Sequence, residues 1–381
     1  MAQGRRTRIL IVDDSAVMRS LLRSVVCADA SLEVTGTAAD GESALSTIGT
    51  ICPDLILLDV EMPVMDGLVT LRQLRARGHK MPVIMCSSLT QRGAKVTIEA
   101  LACGASDYVT KPAGQASREA ATRALAQELI PKIHALTGQQ LTQPLAGLPD
   151  TARIPLALPI AQPHKPQPVS SVPVVLVIGV STGGPAALDV LLPAFPGNFP
   201  LPVLIVQHMP ELFTKLFAER LNSRCRLSVR EAAEGDAAHA GTIYIARGNW
   251  HMEVVCAARP SQPGQPPTLH LHQGPLENHC RPAADALFRS AAAVYGPGVL
   301  ALVLTGMGSD GLLGCRAIRD HGGSVLAQDQ ATSTVWGMPG AVANAGLAHN
   351  VLPLNAIVPE ILRIASRTNR SEARELLKSA V

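Results

Sequence analysis

Apolar and polar positions follow two alternating periods along this chain. Short β-branched runs bounded by glycine, proline or acidic residues read as buried strands. Amphipathic segments with a 3.6-residue repeat follow them as helices. Early in the chain the runs Arg8–Val12, Glu33–Ala38, Leu55–Leu58, Val83–Cys86 and Asp107–Val109 predict strands, with helical patterns such as Ala16–Cys27 and Gly67–Arg77 between them. The alternation resumes at Val172 with an apolar run ending in Gly179. Further strands are predicted over Leu201–Val206, Val299–Leu304 and Ser324–Ala327, and helices over Phe213–Leu221, Ala283–Val294 and Leu312–Arg319. Thr242–Ala246, Met252–Ala257 and Leu269–His272 read as short strands forming a small hairpin region. Strand–helix alternation of this kind predicts doubly wound, mostly parallel α/β sheets covered on both faces. The proline- and glutamine-rich stretch between the two regions has neither period and reads as a semi-rigid spacer. The expected organisation is a first domain over 1–137, a linker over 138–171, a second domain over 172–366 and a tail over 367–381.

Composition narrows the class. Of 381 residues, 47 % are apolar and 17 % charged, an ordinary globular balance. A net charge of +3 and 3 % aromatic residues supply neither a phosphate-binding surface nor stacking platforms, so no nucleic acid is expected. No apolar run is long enough to cross a membrane, and the N-terminus leads into a strand rather than a signal peptide. The eight cysteines are scattered without a Cys-x-x-Cys pair and read as reduced residues of a cytoplasmic protein.

In the first domain the polar residues gather at strand ends. Asp13 and Asp14 close the first strand, Asp59 the third, Ser87 and Ser88 the fourth, and Lys111 follows the fifth. In a parallel sheet these ends share one edge, where ligands bind. Clustered carboxylates call for a cation, and carboxylate oxygens suit Mg²⁺. Lys111 adds a point charge for a phosphoryl group.

In the second domain Gly179-Val-Ser181-Thr-Gly183 has the spacing of a nucleophile elbow, a serine on a sharp strand-to-helix turn. His208 directly follows the next strand, and Asp310 lies just beyond Val299–Leu304. On parallel strands the three share an edge and form the set a serine hydrolase needs: nucleophile, base and orienting acid. The order Ser…His…Asp differs from the Ser…Asp…His order of α/β-hydrolases, which argues against that fold. Gly306-Met-Gly308-Ser-Asp-Gly311, with Asp329 beyond it, also fits a dinucleotide fingerprint. Asp310 opposes that alternative, since its carboxylate would face a pyrophosphate. His270 and His272 read as surface residues with no clustered carboxylate, and His279-Cys280 is assigned no metal.

Two resemblances follow from these residues. Val12-Asp13-Asp14-Ser15, Leu58-Asp59-Val-Glu-Met-Pro63, Ser87 and Tyr108-Val-Thr-Lys111-Pro112 resemble the receiver domain of response regulators, a flavodoxin-like five-stranded parallel sheet. The resemblance implies that a histidine kinase phosphorylates Asp59, with Asp13, Asp14 and Asp59 around Mg²⁺. Ser87 and Tyr108 would be switch residues, and Lys111 would contact the phosphoryl group. Ile178-Gly-Val-Ser-Thr-Gly-Gly184, Val206-Gln-His-Met-Pro210, Leu304-Thr-Gly-Met-Gly-Ser-Asp-Gly311 and Trp336-Gly-Met-Pro339 resemble the signature motifs of the CheB family of chemotaxis methylesterases. That resemblance implies Ser181 as nucleophile, His208 as base and Asp310 as orienting acid. The Met307 N–H would help form an oxyanion hole, and Thr182 would line the site. It further implies demethylation and deamidation of chemoreceptor glutamyl sites, with no esterase cofactor, in a cytoplasmic monomer. The alternative is a two-component regulator whose output domain binds a nucleotide or other ligand without hydrolysis. Two departures stand out: Arg247, where the family usually has proline, and Cys280, where histidine is common. Neither is expected to touch the triad.

Overall fold

The structure, a computed structural model, describes residues 5–112, 117–138, 172–256 and 266–366. Apart from Gly138, the expected linker lies outside these residues, as does the expected tail. The chain divides into two compact units.

The first unit runs β1 (Thr7–Val12), α1 (Ala16–Cys27), β2 (Leu32–Ala38), α2 (Gly41–Ile51), β3 (Leu55–Asp59), α3 (Gly67–Ala76), β4 (Val83–Ser87), α4 (Gln91–Ala102), β5 (Asp107–Thr110) and α5 (Arg118–Thr137). Its strands form one parallel sheet in the order β2-β1-β3-β4-β5. β3 and β4 are buried along their whole length, as a sheet covered on both faces requires. α1 shows how sequence sets an element. Ser15 caps it by accepting a hydrogen bond from the Met18 N–H. Met18, Leu21, Leu22, Val25 and Val26 then recur on one face and pack on Ile9, Ile11 and Leu57.

The second unit runs β6 (Val175–Val180), α6 (Gly184–Leu191), β7 (Val203–Gln207), α7 (Glu211–Asn222), β8 (Ser228–Glu231), β9 (Thr242–Ile245), β10 (His251–Val255), β11 (Thr268–His272), α8 (Ala284–Tyr295), β12 (Val299–Val303), α9 (Leu312–Asp320), β13 (Ser324–Gln328), α10 (Met338–Asn344), β14 (Asn350–Leu352) and α11 (Leu354–Ala365). Seven of these strands form a wholly parallel sheet, β14-β13-β12-β6-β7-β9-β8. β10 and β11 form a separate antiparallel pair, whereas β9, expected in the same hairpin region, joins the main parallel sheet between β7 and β8. From β6 the chain builds outward through β7 on one side and later through β12 on the other. The order therefore reverses at β6, the point where open α/β sheets open a crevice at their carboxyl edge.

Candidate active site

Ser181, His208 and Asp310 follow adjacent strands at that switch point. Val180 pairs with Gln207 across β6 and β7, so Ser181 and His208 are the next residues on neighbouring strands. The Ser181 N–H donates to the Thr305 carbonyl just beyond β12, at 3.0 Å. Gly183 sits in the left-handed region (φ 77°) and turns the chain into α6, with Pro185 in its first turn. Gly306 must be glycine for a different reason. A Cβ there would lie 2.4 Å from the Met338 sulfur and 2.9 Å from Ser181 Cβ.

The orienting half of the site is fully built. His208 Nε2 lies 2.7 Å from Asp310 Oδ2. Asp310 also accepts the N–H groups of Ala284 (2.6 Å), Asp285 (3.1 Å) and Gly311 (3.0 Å), and Asn278 Nδ2 at 2.8 Å. The first two donors open α8, so the positive end of that helix faces the carboxylate. Burial acts to raise the Asp310 pKa, but His208 and these N–H groups override it and hold the group below its usual value. Burial likewise disfavours charge on His208, but Asp310 outweighs it and raises the imidazole pKa.

Among the described residues none hydrogen-bonds Ser181 Oγ. The second ring nitrogen of His208, Nδ1, faces Cys280 Sγ at 3.5 Å. The expectation that Cys280 stands clear of the triad is therefore wrong. Glu277 and Cys280 exchange backbone hydrogen bonds across a tight turn that brings the cysteine to Nδ1. Arg247 does stay clear of the triad. It pairs with Glu211 and lies over the Trp250 ring.

Thr182 is buried, and its carbonyl accepts Thr305 Oγ1 at 2.9 Å. Met307 lies beside Gly306 and is partly buried. Sequence reasoning missed several supporting residues. Gln207 Nε2 donates to the Ser181 carbonyl (3.1 Å), and Gln328 Oε1 accepts the Thr305 N–H (2.8 Å). Their signal was available: each is a polar last residue directly after an apolar strand interior. Asn278 had none, since its role depends on a turn that no periodicity predicts. The dinucleotide alternative loses its acid, because Asp329 Oδ1 is bonded locally to the N–H and hydroxyl of Thr332. His270 and His272 are partly exposed, in keeping with the surface reading, but each meets one carboxylate, Glu234 (3.0 Å) and Glu253 (3.5 Å), brought by loop and hairpin rather than by sequence proximity.

The first unit carries the second site. Lys111 Nζ lies 2.8 Å from Asp13 Oδ2 and 2.7 Å from Asp59 Oδ2. Oxygens of Asp13, Asp14 and Asp59 all fall within 4.8 Å of one another. Asp13 Oδ2 is buried and, beyond its ion pair with Lys111, accepts no hydrogen bond. Hard oxygens, one of them without a hydrogen bond, fit Mg²⁺. Burial pushes Asp59 up to about 6 against the pull of Lys111, with Asp13 adding to the rise. Ser87 is buried and accepts Thr97 Oγ1 at 2.7 Å. Tyr108 is already buried, with Lys132 Nζ 5.0 Å from its ring centre.

Fold and sites together define a signalling protein in which a receiver precedes a parallel α/β domain with a hydrolase-type Ser/His/Asp edge. Comparison with known proteins agrees. The response regulator receiver domain family matches residues 9–123, and the CheB methylesterase family matches residues 176–361. A protein-glutamate methylesterase/protein-glutamine glutaminase of Nocardioides sp. is 48 % identical over 370 residues, covering 96 % of this chain and 97 % of that protein. The protein of the same description in Trichodesmium erythraeum is 46 % identical over 356 residues, covering 93 % and 98 %. The solved CheB methylesterase catalytic domain of Thermotoga maritima is 39 % identical, with 51 % of this chain and all (100 %) of that one covered and a TM-score of 0.48. The chain belongs to the CheB family of protein-glutamate methylesterase/protein-glutamine glutaminases.

Proposed function

We propose that this protein is a phosphorylation-controlled serine esterase acting on glutamate γ-methyl esters, and on glutamine side chains, of chemoreceptor cytoplasmic helices. The single observation that best supports it is His208 bound to a fully satisfied, buried Asp310, one strand away from Ser181. His208 takes the Ser181 proton as Oγ bonds to the γ-carbonyl carbon. The N–H of Met307 stabilises the resulting oxyanion. The C–O bond to methoxide then breaks, His208 returns the proton, and methanol leaves. Water attacks the acyl-enzyme by the same base and releases the glutamate. A glutamine amide follows the same course and releases ammonia. Thr182 lines the carbonyl site. The esterase needs no cofactor in this scheme.

In the receiver, a histidine kinase is the phosphodonor and Asp59 the acceptor. Asp13, Asp14 and Asp59 would hold Mg²⁺, which when bound offsets the negative charge of the phosphoryl group. Lys111 contacts that group, and Ser87 and Tyr108 transmit its presence. Domain limits of 1–137 and 172–366 are part of the same reading. Among the described residues no helix is long and apolar enough to cross a membrane. Action as a monomer in the cytoplasm, on the inner portions of receptors, belongs to the same proposal.

Ser181→Ala tests the esterase reading. Turnover of a methylated receptor fragment should fall by about 10⁴ to 10⁶. Retention of more than roughly a tenth of the rate would exclude Ser181 as nucleophile.

A further inference from the structure

We propose that Cys280 is a positioning residue for His208: its sulfur engages Nδ1, the nitrogen that must take the Ser181 proton, and holds the ring until the serine displaces it. The proposal rests on the esterase reading above.

The ring nitrogens have separate duties. A carboxylate only accepts, so the nitrogen 2.7 Å from Asp310 Oδ2 carries the hydrogen, and that nitrogen is Nε2. Nδ1 is then the one left to act as base. Its neighbour in the resting enzyme is Cys280 Sγ at 3.5 Å, within reach of a sulfur hydrogen bond. The placement is built rather than incidental. Cys280 ends a turn in which Asn278 (φ 50°) and His279 (φ 61°) both occupy the left-handed region, unfavourable for residues with a Cβ. The turn is held by the Glu277–Cys280 backbone pair and by Arg281, which donates to Gly274 O (2.7 Å) and Asn249 Oδ1 (2.7 Å). Asn278 of the same turn donates to Asp310 Oδ1 and to Asp285 Oδ2 at 2.9 Å. One strained turn thus grips the acid through Asn278 and the base through Cys280.

Sulfur suits this task. It is a weak hydrogen-bond partner, so an incoming hydroxyl can replace it at small cost. The ionisable groups facing His208 are Asp310 from the loop before α9 and Cys280 from the turn before α8. Asp285 of α8 stands behind Asp310, joined to it through Asn278. Asp310 favours the protonated ring, whereas a thiol that donates to the bare Nδ1 favours the neutral one. Removing the thiol therefore takes a donor away from the neutral base and leaves the ring easier to protonate.

The test is the pH profile of kcat/KM for the full chain, measured on a synthetic helical peptide bearing a glutamate γ-methyl ester. Cys280→Ala is compared with Cys280→Ser, which keeps a polar atom in place, and with Ser181→Ala. In Cys280→Ala the midpoint of the ascending limb should rise by about half to one pH unit, the scale of one hydrogen bond, with KM little changed. Cys280→Ser should lie between it and the wild type. Unmoved midpoints in both variants, or a fall in Cys280→Ala, would overturn the positioning role while Ser181→Ala remained inactive. An active Ser181→Ala beside an inactive Cys280→Ala would put the nucleophile on sulfur and overturn both readings.

Discussion

His208 Nε2 and Asp310 Oδ2 stand 2.7 Å apart, and Asp310 meets four further donors besides. A carboxylate so saturated has no capacity left for a proton. Its contribution is to fix the tautomer of His208 and to favour the charge that appears there during reaction.

Asp310→Asn should accordingly preserve substrate binding and lose turnover by about 10⁴, since an amide cannot hold the hydrogen on Nε2 in the same way. Single-turnover kinetics with a methylated peptide would separate the two effects. A variant with unchanged kcat would mean that His208 is oriented by something else.

The raised pKa of His208 sets a pH dependence. Burial opposes the rise, but Asp310 prevails. A base must be neutral to accept a proton, so activity is lost as pH falls through this raised value. The ascending limb of kcat/KM should therefore lie above the ordinary histidine midpoint of about 6.5. A limb centred at or below that value would show that the ion pair does not hold the ring charged. The stability linkage runs the other way. The pair's contribution is complete below the unfolded-state histidine midpoint and is lost as pH rises through the raised one.

Much of this was legible from sequence because period and function coincide. The strands that deliver Ser181, His208 and Asp310 are continuous apolar runs, and parallel pairing alone brings their ends to one edge. α1 was readable to the residue because its buried face repeats and Ser15 marks its start. Other elements carry no such signal. In β8 only Val229 is buried, since this strand lies at the sheet edge, and β14 has only three residues, none fully buried. α10 has only seven residues, too few for its buried Met338 and Val342 to show as a repeat. The contact of Cys280 with His208 depends on left-handed backbone at Asn278 and His279, which local propensity opposes.

Phe288 links this site to the core. It is fully buried on α8, and its ring and Cβ fill the space that absent side chains leave at Gly179, Gly311 and Gly314. Those glycines belong to β6 and to the start of α9, which carry Ser181 and Asp310. Phe288→Ala should destabilise the second unit by about 3–5 kcal/mol through lost burial and an unfilled cavity. Urea denaturation monitored on the full chain checks this. A loss below about 1 kcal/mol would mean that the helix collapses onto the glycines without penalty.

The remaining prediction concerns control of the esterase by the receiver. Asp59, Asp13 and Lys111 form a compact, nearly buried charge cluster whose balance one phosphoryl group would upset. Lys111 is held by both carboxylates, so a phosphoryl group on Asp59 competes directly for its ammonium. Ser87 ends β4, on the strand beside β3 and one residue past the partner of Asp59, and Thr97 of α4 is bonded to it. A shift of Ser87 toward the phosphoryl oxygens would therefore pull on α4 first. The buried ring of Tyr108 adds a condition. An aromatic already inside cannot move inward, so α4 rather than Tyr108 should carry the larger displacement. If the unphosphorylated receiver restrains the esterase, the full chain should demethylate slowly, rise with a small phosphodonor and Mg²⁺, and stay low as Asp59→Asn. A fragment starting at Val172 should match or exceed the phosphorylated chain without any donor. Thr97→Ala, which breaks the link from Ser87 to α4, should weaken activation while leaving phosphorylation of Asp59 intact. Demethylation rates of these proteins, with phosphate incorporation measured in parallel, check the scheme. Equal rates for fragment, resting chain and phosphorylated chain would remove the inhibitory role and leave the receiver as a docking module.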